Sequence, residues 1–415
     1  MLSVFVQILL LLSGLLVNFV VPAIFGLESY GAFIRANILV FLFQKLASIM
    51  SEPLIGHVEG RSIFPLSVAL SLLVWVAFSA VNELSSIGSP ALLASMLFSA
   101  AVTLSLQAMR LQLLLVAYLV AFLAVFLLLI ASKVTVHWPL SIESILLWTN
   151  LAPTSVAALA MLRAGVRLPV GKEVGGLLIG AIRLAPRNFS ISLVFNLFTN
   201  LLPYIFSKTL PLADLGLFRV MTSLVQSATF LFPVNNKDIF VGLVNSKDRT
   251  GFIRALLAWS LLYFAAVGLG GVVIAFLDPH LLPYLALLAG LPTLYWTVMI
   301  ERYLQAANKR PSLIIANLVV GGLVLVTALQ VRSLETAVIF YAAGFAFYAM
   351  WLLGLIRNIA PLVLLAPVVL LSPIVVWLQS FSLLYSAAYF GVLIIFAWRV
   401  FKPGLSDLKR LSGQS

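Results

Sequence analysis

The chain has 415 residues, of which 63% are hydrophobic and 9% charged, with a mean hydropathy of +1.15. Soluble chains carry about 25% charge and cannot hide that much apolar surface, so the composition excludes a soluble globular domain and indicates a polytopic membrane protein. The formal charge of +12 would suggest nucleic acid on a soluble protein, but topology explains it here, and the absence of cysteine excludes disulfides, thiolate catalysis and Cys-bound metals. The three histidines, His57, His137 and His280, are scattered along the chain. No metal, cofactor or nucleic-acid partner is expected.

Apolar stretches between charges run to about 18 to 24 residues, the length that crosses an apolar core of about 30 Å at 1.5 Å per residue. Transmembrane β-strands of about 10 alternating residues do not fit that pattern. The first stretch lacks a basic leader and a small-residue cleavage pattern, so it reads as a retained helix. Cutting at charges, Pro and Gly predicts fourteen helices, at 3–24, 29–51, 63–81, 90–108, 111–131, 144–162, 187–207, 213–235, 252–276, 281–300, 312–331, 335–356, 360–379 and 382–400. The longest inner loop, Arg163 to Arg187, is basic, and Gly175 to Ala185 within it fits an amphipathic helix on the membrane surface.

Lys and Arg are retained on the cytoplasmic side, which fixes the expected orientation. With the N-terminus inside, twenty basic residues fall on the cytoplasmic side and only Lys133, Lys208 and Arg332 outside, while Arg35 and Arg219 lie within helices. Both termini are therefore expected in the cytoplasm of a multi-pass cell-membrane protein. No sizeable extramembrane domain is predicted, and the longest outer loop offers only Lys133, His137 and Glu143. That argues against a membrane-embedded glycan-processing enzyme.

A faint internal repeat runs through the chain. Asn18-Phe-Val-Val-Pro22 and Glu28-Ser-Tyr-Gly31-Ala-Phe33 are echoed by Asn200-Leu-Leu-Pro203 and Asp214-Leu-Gly216-Leu-Phe218. Glu59-Gly-Arg61 is echoed by Lys247-Asp-Arg249, and the offset, 185 positions from Gly31 to Gly216 and 188 from Arg61 to Arg249, is nearly constant. Such repeats mark transporters built from two related bundles. The expected organisation is an N-lobe of six helices over 1–162, a cytoplasmic basic loop over 163–186, a C-lobe of six helices over 187–357, two further helices over 358–400 and a cytoplasmic tail over 401–415.

The tract Pro22-Ala-Ile-Phe-Gly-Leu-Glu-Ser-Tyr-Gly31 resembles the Pro…Leu-Gly-x-x-x-Tyr-Gly element of polysaccharide flippases in the multidrug/oligosaccharidyl-lipid/polysaccharide exporter superfamily. Leu212-Ala-Asp-Leu-Gly-Leu-Phe218 is its second-half counterpart, and Tyr303-Leu-Gln-Ala-Ala-Asn-Lys309 resembles the family's exit from the tenth helix. The resemblance covers residues 1–357. It implies two six-helix lobes around a central cavity, alternating access, and a lipid-linked glycan as substrate, with membrane lipids and glycan-assembly enzymes as partners.

Candidate cavity residues follow from helical spacing. At 100° per residue, Arg219, Thr222, Ser223 and Gln226 share one face of the eighth helix. A buried charge costs about 2.5 to 3.5 kcal/mol on insertion scales, so Arg219 is expected to face protein or water rather than lipid. Asn196, Thr199 and Asn200 share a face of the seventh helix, Gln7, Gly14 and Asn18 of the first, and Asn37, Gln44 and Ser48 of the second, with Lys45 at that stripe's edge. Arg35 lies about 140 to 180° from it, and so either reaches lipid headgroups or serves the site from another face. The same polar residues could instead bond neighbouring helices, worth about 0.6 kcal/mol each. Arg can pair bidentately with phosphate oxygens while amides suit sugar hydroxyls.

No carboxylate is expected inside a helix, since Glu52 and Glu301 fall at predicted cytoplasmic ends. That weighs against the alternative of a cation-coupled multidrug exporter of the same superfamily. The loop Gly56-His-Val-Glu-Gly-Arg61 lacks the Asp-Arg pair expected of a sugar-porter-like major facilitator. The expected function is a flippase that carries a lipid-linked oligosaccharide across the cytoplasmic membrane without breaking a bond.

Overall fold

The computed structural model describes residues 2–51, 60–85, 88–166, 202–230, 249–277, 282–306, 310–354 and 382–401, together with 176, 179, 180, 182, 183 and 243. The fold is all-α: α1 Leu2–Phe25, α2 Leu27–Ser51, α3 Gly60–Ser85, α4 Pro90–Ala108, α5 Gln112–Thr135, α6 Ile142–Arg163, α7 Leu202–Thr209, α8 Leu212–Phe230, α9 Arg249–Leu277, α10 Leu282–Ala306, α11 Arg310–Ala328, α12 Leu334–Gly354 and α13 Leu383–Phe396, which ends in a π-turn over Ala397–Phe401. Among the described residues, eight helices are long and apolar enough to cross a membrane, and three shorter apolar segments accompany them. The protein is therefore a multi-pass membrane protein. The predicted thirteenth helix, 360–379, lies outside the described residues, and α13 occupies the place of the predicted fourteenth. Of the predicted surface helix, the described residues are helical, and Ile179 and Ile182, one turn apart, are exposed.

The turns follow local chemistry. Gly26 takes φ +85°, a left-handed conformation without penalty only for glycine, and its N–H closes α1 onto the Pro22 carbonyl at 2.9 Å. Gly165, at φ +83°, does the same after α6. Ser89 caps α4, its Oγ accepting from the Leu92 N–H at 3.2 Å, and Pro90 fills the first helical position where no N–H is needed. Ser141 caps α6 in the same way through the Ser144 N–H at 3.1 Å.

The chain divides into two compact units, one of residues 1–192 and 211–217, the other of 193–210 and 218–415. In the first, α1, α4, α5 and α6 meet in a core of Val6, Leu9, Val102, Leu106, Leu115, Leu119, Ala157 and Met161. Outward faces carry Leu72, Leu73 and Val76 on α3 and Val120, Leu127 and Leu128 on α5, which suits acyl chains rather than water. Exposed Trp138 and Trp148 flank the start of α6, the interfacial position that amphipathic rings prefer.

Two glycines set a close helix crossing in this unit. A Cβ on Gly31 of α2 would overlap the carbonyl oxygen of Leu212, and a Cβ on Gly216 of α8 would overlap that of Leu27. Each hypothetical Cβ lies 3.2 Å from the other glycine's backbone nitrogen. Leu27 pairs with Leu212, and Gly31 with Gly216, at the same 185-residue offset, so the contact is reciprocal between repeat-related positions. Backbones approach this closely only where both side chains are absent.

In the second unit, α10 packs against α12 and α9, and α9 against α13. The fully buried Trp296 of α10 donates to Ser260 of α9 at 3.2 Å, so its indole N–H is satisfied away from water. An aromatic chain of Phe206, Phe218, Tyr341 and Phe345 continues the core, with ring centroids 5.1 to 5.8 Å apart in edge-on geometry.

Candidate functional site

The polar residues of α1 and α2 divide into two groups by what they touch. Asn18 donates to the Gly14 carbonyl at 2.8 Å and accepts from the Tyr30 hydroxyl at 2.8 Å, tying α1 to α2. Asn37 is buried, donates to the Phe33 carbonyl at 3.2 Å and accepts from the Ser89 N–H at 3.1 Å. Its amide thereby positions the start of α4, 52 residues away in sequence.

Gln44 and Ser48, two and three turns further along α2, have different surroundings. They line a cavity of about 310 Å³ inside the first unit, together with Ser51 at the end of α2, Ser71 of α3, and Ser99, Thr103 and Gln107 of α4. Among the described residues, the lining carries hydroxyls and amides and no charged side chain. Two of the five hydroxyls donate within their helices: Ser48 to the Gln44 carbonyl at 3.2 Å and Thr103 to the Ser99 carbonyl at 2.8 Å. Ser99 shares a 2.6 Å hydrogen bond with Tyr118. A hydroxyl whose proton is spent on its own helix still offers lone pairs, so these groups present acceptors, while the two glutamine amides add donors. Such a mixed, neutral surface complements the hydroxyls of a sugar, each of which both donates and accepts.

The remaining candidates are placed as follows. Lys45 is half-buried beside Gln44, and Arg35 is on the exposed side of α2, away from buried Ile34, Asn37 and Ile38. In the second unit Arg219 is half-buried on α8, and the neighbouring Thr222 and Ser223 are buried. The Thr222 hydroxyl reaches the carbonyls of Phe218 at 2.9 Å and Arg219 at 3.1 Å. Gln226 is on the same helix, but its side chain is outside the described residues, as are Asn196 and Asn200 altogether. The structure thus brings Gln44 to a cavity, and places Asn18 and Asn37 in bonds between helices.

Sequence reasoning missed the α3 and α4 half of this cavity. The signal was present: Ser95, Ser99, Thr103 and Gln107 recur every four residues, which keeps them near one face of a helix. It also misplaced Glu301. The predicted helix stopped at residue 300, but α10 runs to Ala306, so Glu301 lies inside it and is only 5% exposed. A carboxylate does appear in a helix interior, where the Tyr348 hydroxyl donates to it, a partner that a cut at charged residues does not anticipate. The argument against cation coupling drawn from the absence of such a group therefore falls.

No family model matches this sequence, and no curated protein matches it. A solved structure does: a chain described as lipid II flippase MurJ in an inward closed conformation superposes with a TM-score of 0.64 at 13% identity, covering 97% of this chain and 98% of that one. The fold of this protein is therefore similar to that of this solved chain.

Proposed function

We propose that the protein is a flippase that translocates a lipid-linked oligosaccharide or polysaccharide precursor across the cytoplasmic membrane by alternating access, a transporter rather than an enzyme. The observation that carries this reading is the fold match over nearly the whole of both chains to a protein named for moving lipid II. The hydroxyl- and amide-lined cavity of the first unit supports it, since it offers sugar-complementary groups. Arg219 is assigned to the pyrophosphate, and Gln44 with its cavity neighbours to the glycan. Membrane lipids solvate the carrier tail, and glycan-assembly enzymes supply the loaded carrier. The test is translocation of a fluorescent polyprenyl-diphosphate oligosaccharide by the purified protein in proteoliposomes. Movement of the glycolipid above protein-free vesicles is expected, and export of cationic dyes without any glycolipid movement would replace this reading with the multidrug exporter.

The proposed orientation places both termini and the Arg163 to Arg187 loop in the cytoplasm, where twenty of the basic residues then lie. Because the chain has no cysteine, single cysteines at Gly171 or Ser412 report cleanly. Neither should react with a membrane-impermeant maleimide applied to intact cells, and both should react after permeabilisation. Labelling from outside would invert the topology.

A further inference from the structure

The cavity of the first unit lies toward one end of the helices that form it. Counted at 1.5 Å per residue, Gln44, Ser48 and Ser51 fall within about 11 Å of the C-terminal end of α2, and Ser99, Thr103 and Gln107 within about 14 Å of that of α4. Ser71 is about 17 Å from the N-terminal end of α3, which packs against both. Those three ends fall on the same side of an antiparallel succession, the side that the proposed orientation makes cytoplasmic. Three consecutive helices of a single compact unit therefore build the whole of this described lining, in the half nearer that side.

The lining also holds polar groups that the protein itself does not use. Among the described residues, the side-chain amides of Gln44 and Gln107 and the hydroxyls of Ser51 and Ser71 make no hydrogen bond to protein, although Ser51 and Ser71 are buried. Buried polar groups are ordinarily bonded, so these call for a partner that enters the space they border. Each amide offers two donor hydrogens and an acceptor oxygen, each free hydroxyl offers one donor and its lone pairs, and Ser48 and Thr103 add lone pairs only. The volume of about 310 Å³ is at the low end of the roughly 300 to 1,000 Å³ of small-molecule sites, which suits one sugar ring and not an oligosaccharide. We propose that this cavity is a selectivity subsite that takes one uncharged sugar residue of the carrier-linked glycan and rejects acidic sugars. A sugar carboxylate entering here loses hydration, and the described lining supplies no cation to pair with it; Lys45, next to Gln44 in the chain, does not line the cavity. The place of that sugar on a transported glycan rests on the flippase reading above, whereas the affinity of the cavity for a sugar does not.

Two measurements on the full chain test this. The first is a saturation-transfer NMR titration in detergent with methyl β-glucoside and methyl β-glucuronide, which differ only in carrying a hydroxymethyl group or a carboxylate. The glucoside should bind, and the glucuronide should bind at least about tenfold more weakly. Gln44→Leu and Ser71→Ala should each weaken glucoside binding by roughly two- to tenfold, the worth of one neutral hydrogen bond. Gln107 is exposed at the edge of the cavity, so Gln107→Lys places an ammonium there without burying it and should raise glucuronide affinity by about tenfold, a gain that misfolding cannot imitate. The second measurement is translocation in proteoliposomes of a polyprenyl-diphosphate glycan bearing glucose or, in its place, glucuronate, of which the first should move faster. No glucoside binding by the parent, or binding indifferent to all three substitutions, overturns the subsite and leaves the flippase reading intact. Equal affinity for the two glycosides, or equal translocation of the two glycolipids, overturns the discrimination by charge. Glucoside binding that responds to the substitutions in a protein that moves neither glycolipid removes the flippase reading and keeps the sugar site.

Discussion

Gly31→Ala should leave little folded protein, and Gly216→Ala should do the same. In each case the added methyl group meets a backbone carbonyl oxygen of the opposing helix, that of Leu212 or of Leu27, and not the end of a flexible side chain that could swing away. Relief then requires α2 and the start of α8 to separate, which uncovers the contacts around them. Overpacking a core side chain costs about 1 to 3 kcal/mol, and a rigid backbone obstacle belongs at or beyond the top of that range. Gly14 and Gly322 supply the controls, since a Cβ at either meets nothing within 4 Å. Alanine there gains up to about 1 kcal/mol of helix propensity and should match or exceed the parent. Monodisperse yield and the thermal unfolding midpoint in detergent separate the two classes. A Gly31→Ala protein as stable as Gly14→Ala would mean that the reciprocal crossing does not exist.

That crossing shows how much of the fold was legible in the sequence. The 185-residue echo paired Gly31 with Gly216, but a repeat says only that two positions are equivalent, not that they touch. Helix limits were readable where chemistry punctuates them. Ser89-Pro90 starts α4 at the predicted residue because the cap and the missing N–H act locally. They were misread where a tertiary partner overrides the punctuation: α10 passes through Glu301 and Arg302, and the partner that makes this tolerable, Tyr348, is 47 residues away. The same limit applies to Asn18, Asn37 and Gln44. All three were drawn from amide residues on predicted polar faces. Asn18 and Asn37 spend their amides on neighbouring helices, whereas Gln44 borders the cavity, and residue type alone does not distinguish those fates. The stripe Ser95, Ser99, Thr103 and Gln107 was available by the same spacing argument, but serine and threonine in membrane helices so often bond their own carbonyls that a stripe of them carries weight only once a cavity lies beside it.

The arginines give the second large expected effect, and helical spacing already ranks Arg219 above Arg35. Arg219 is half-buried on α8 between buried Phe218 and Val220, whereas Arg35 is on the exposed side of α2. A guanidinium kept partly out of water is costly to maintain without a role, while one that reaches outward can be solvated by headgroups. If Arg219 pairs with the pyrophosphate of the carrier, Arg219→Ala removes at least one charge-assisted hydrogen bond, about 1.5 to 3 kcal/mol, and should weaken substrate binding by roughly one to two orders of magnitude. Arg219→Lys should recover only part of this, because lysine restores the charge as a point and not as a planar fork. Arg35→Ala should change the apparent affinity by less than about threefold, in keeping with the small worth of exposed charge contacts. The measurement is the concentration dependence of glycolipid translocation in proteoliposomes, with each variant brought to equal amounts of folded protein first. An Arg219→Ala protein with the parent's affinity, or an Arg35→Ala protein impaired more than Arg219→Ala, would move the phosphate-binding role off α8.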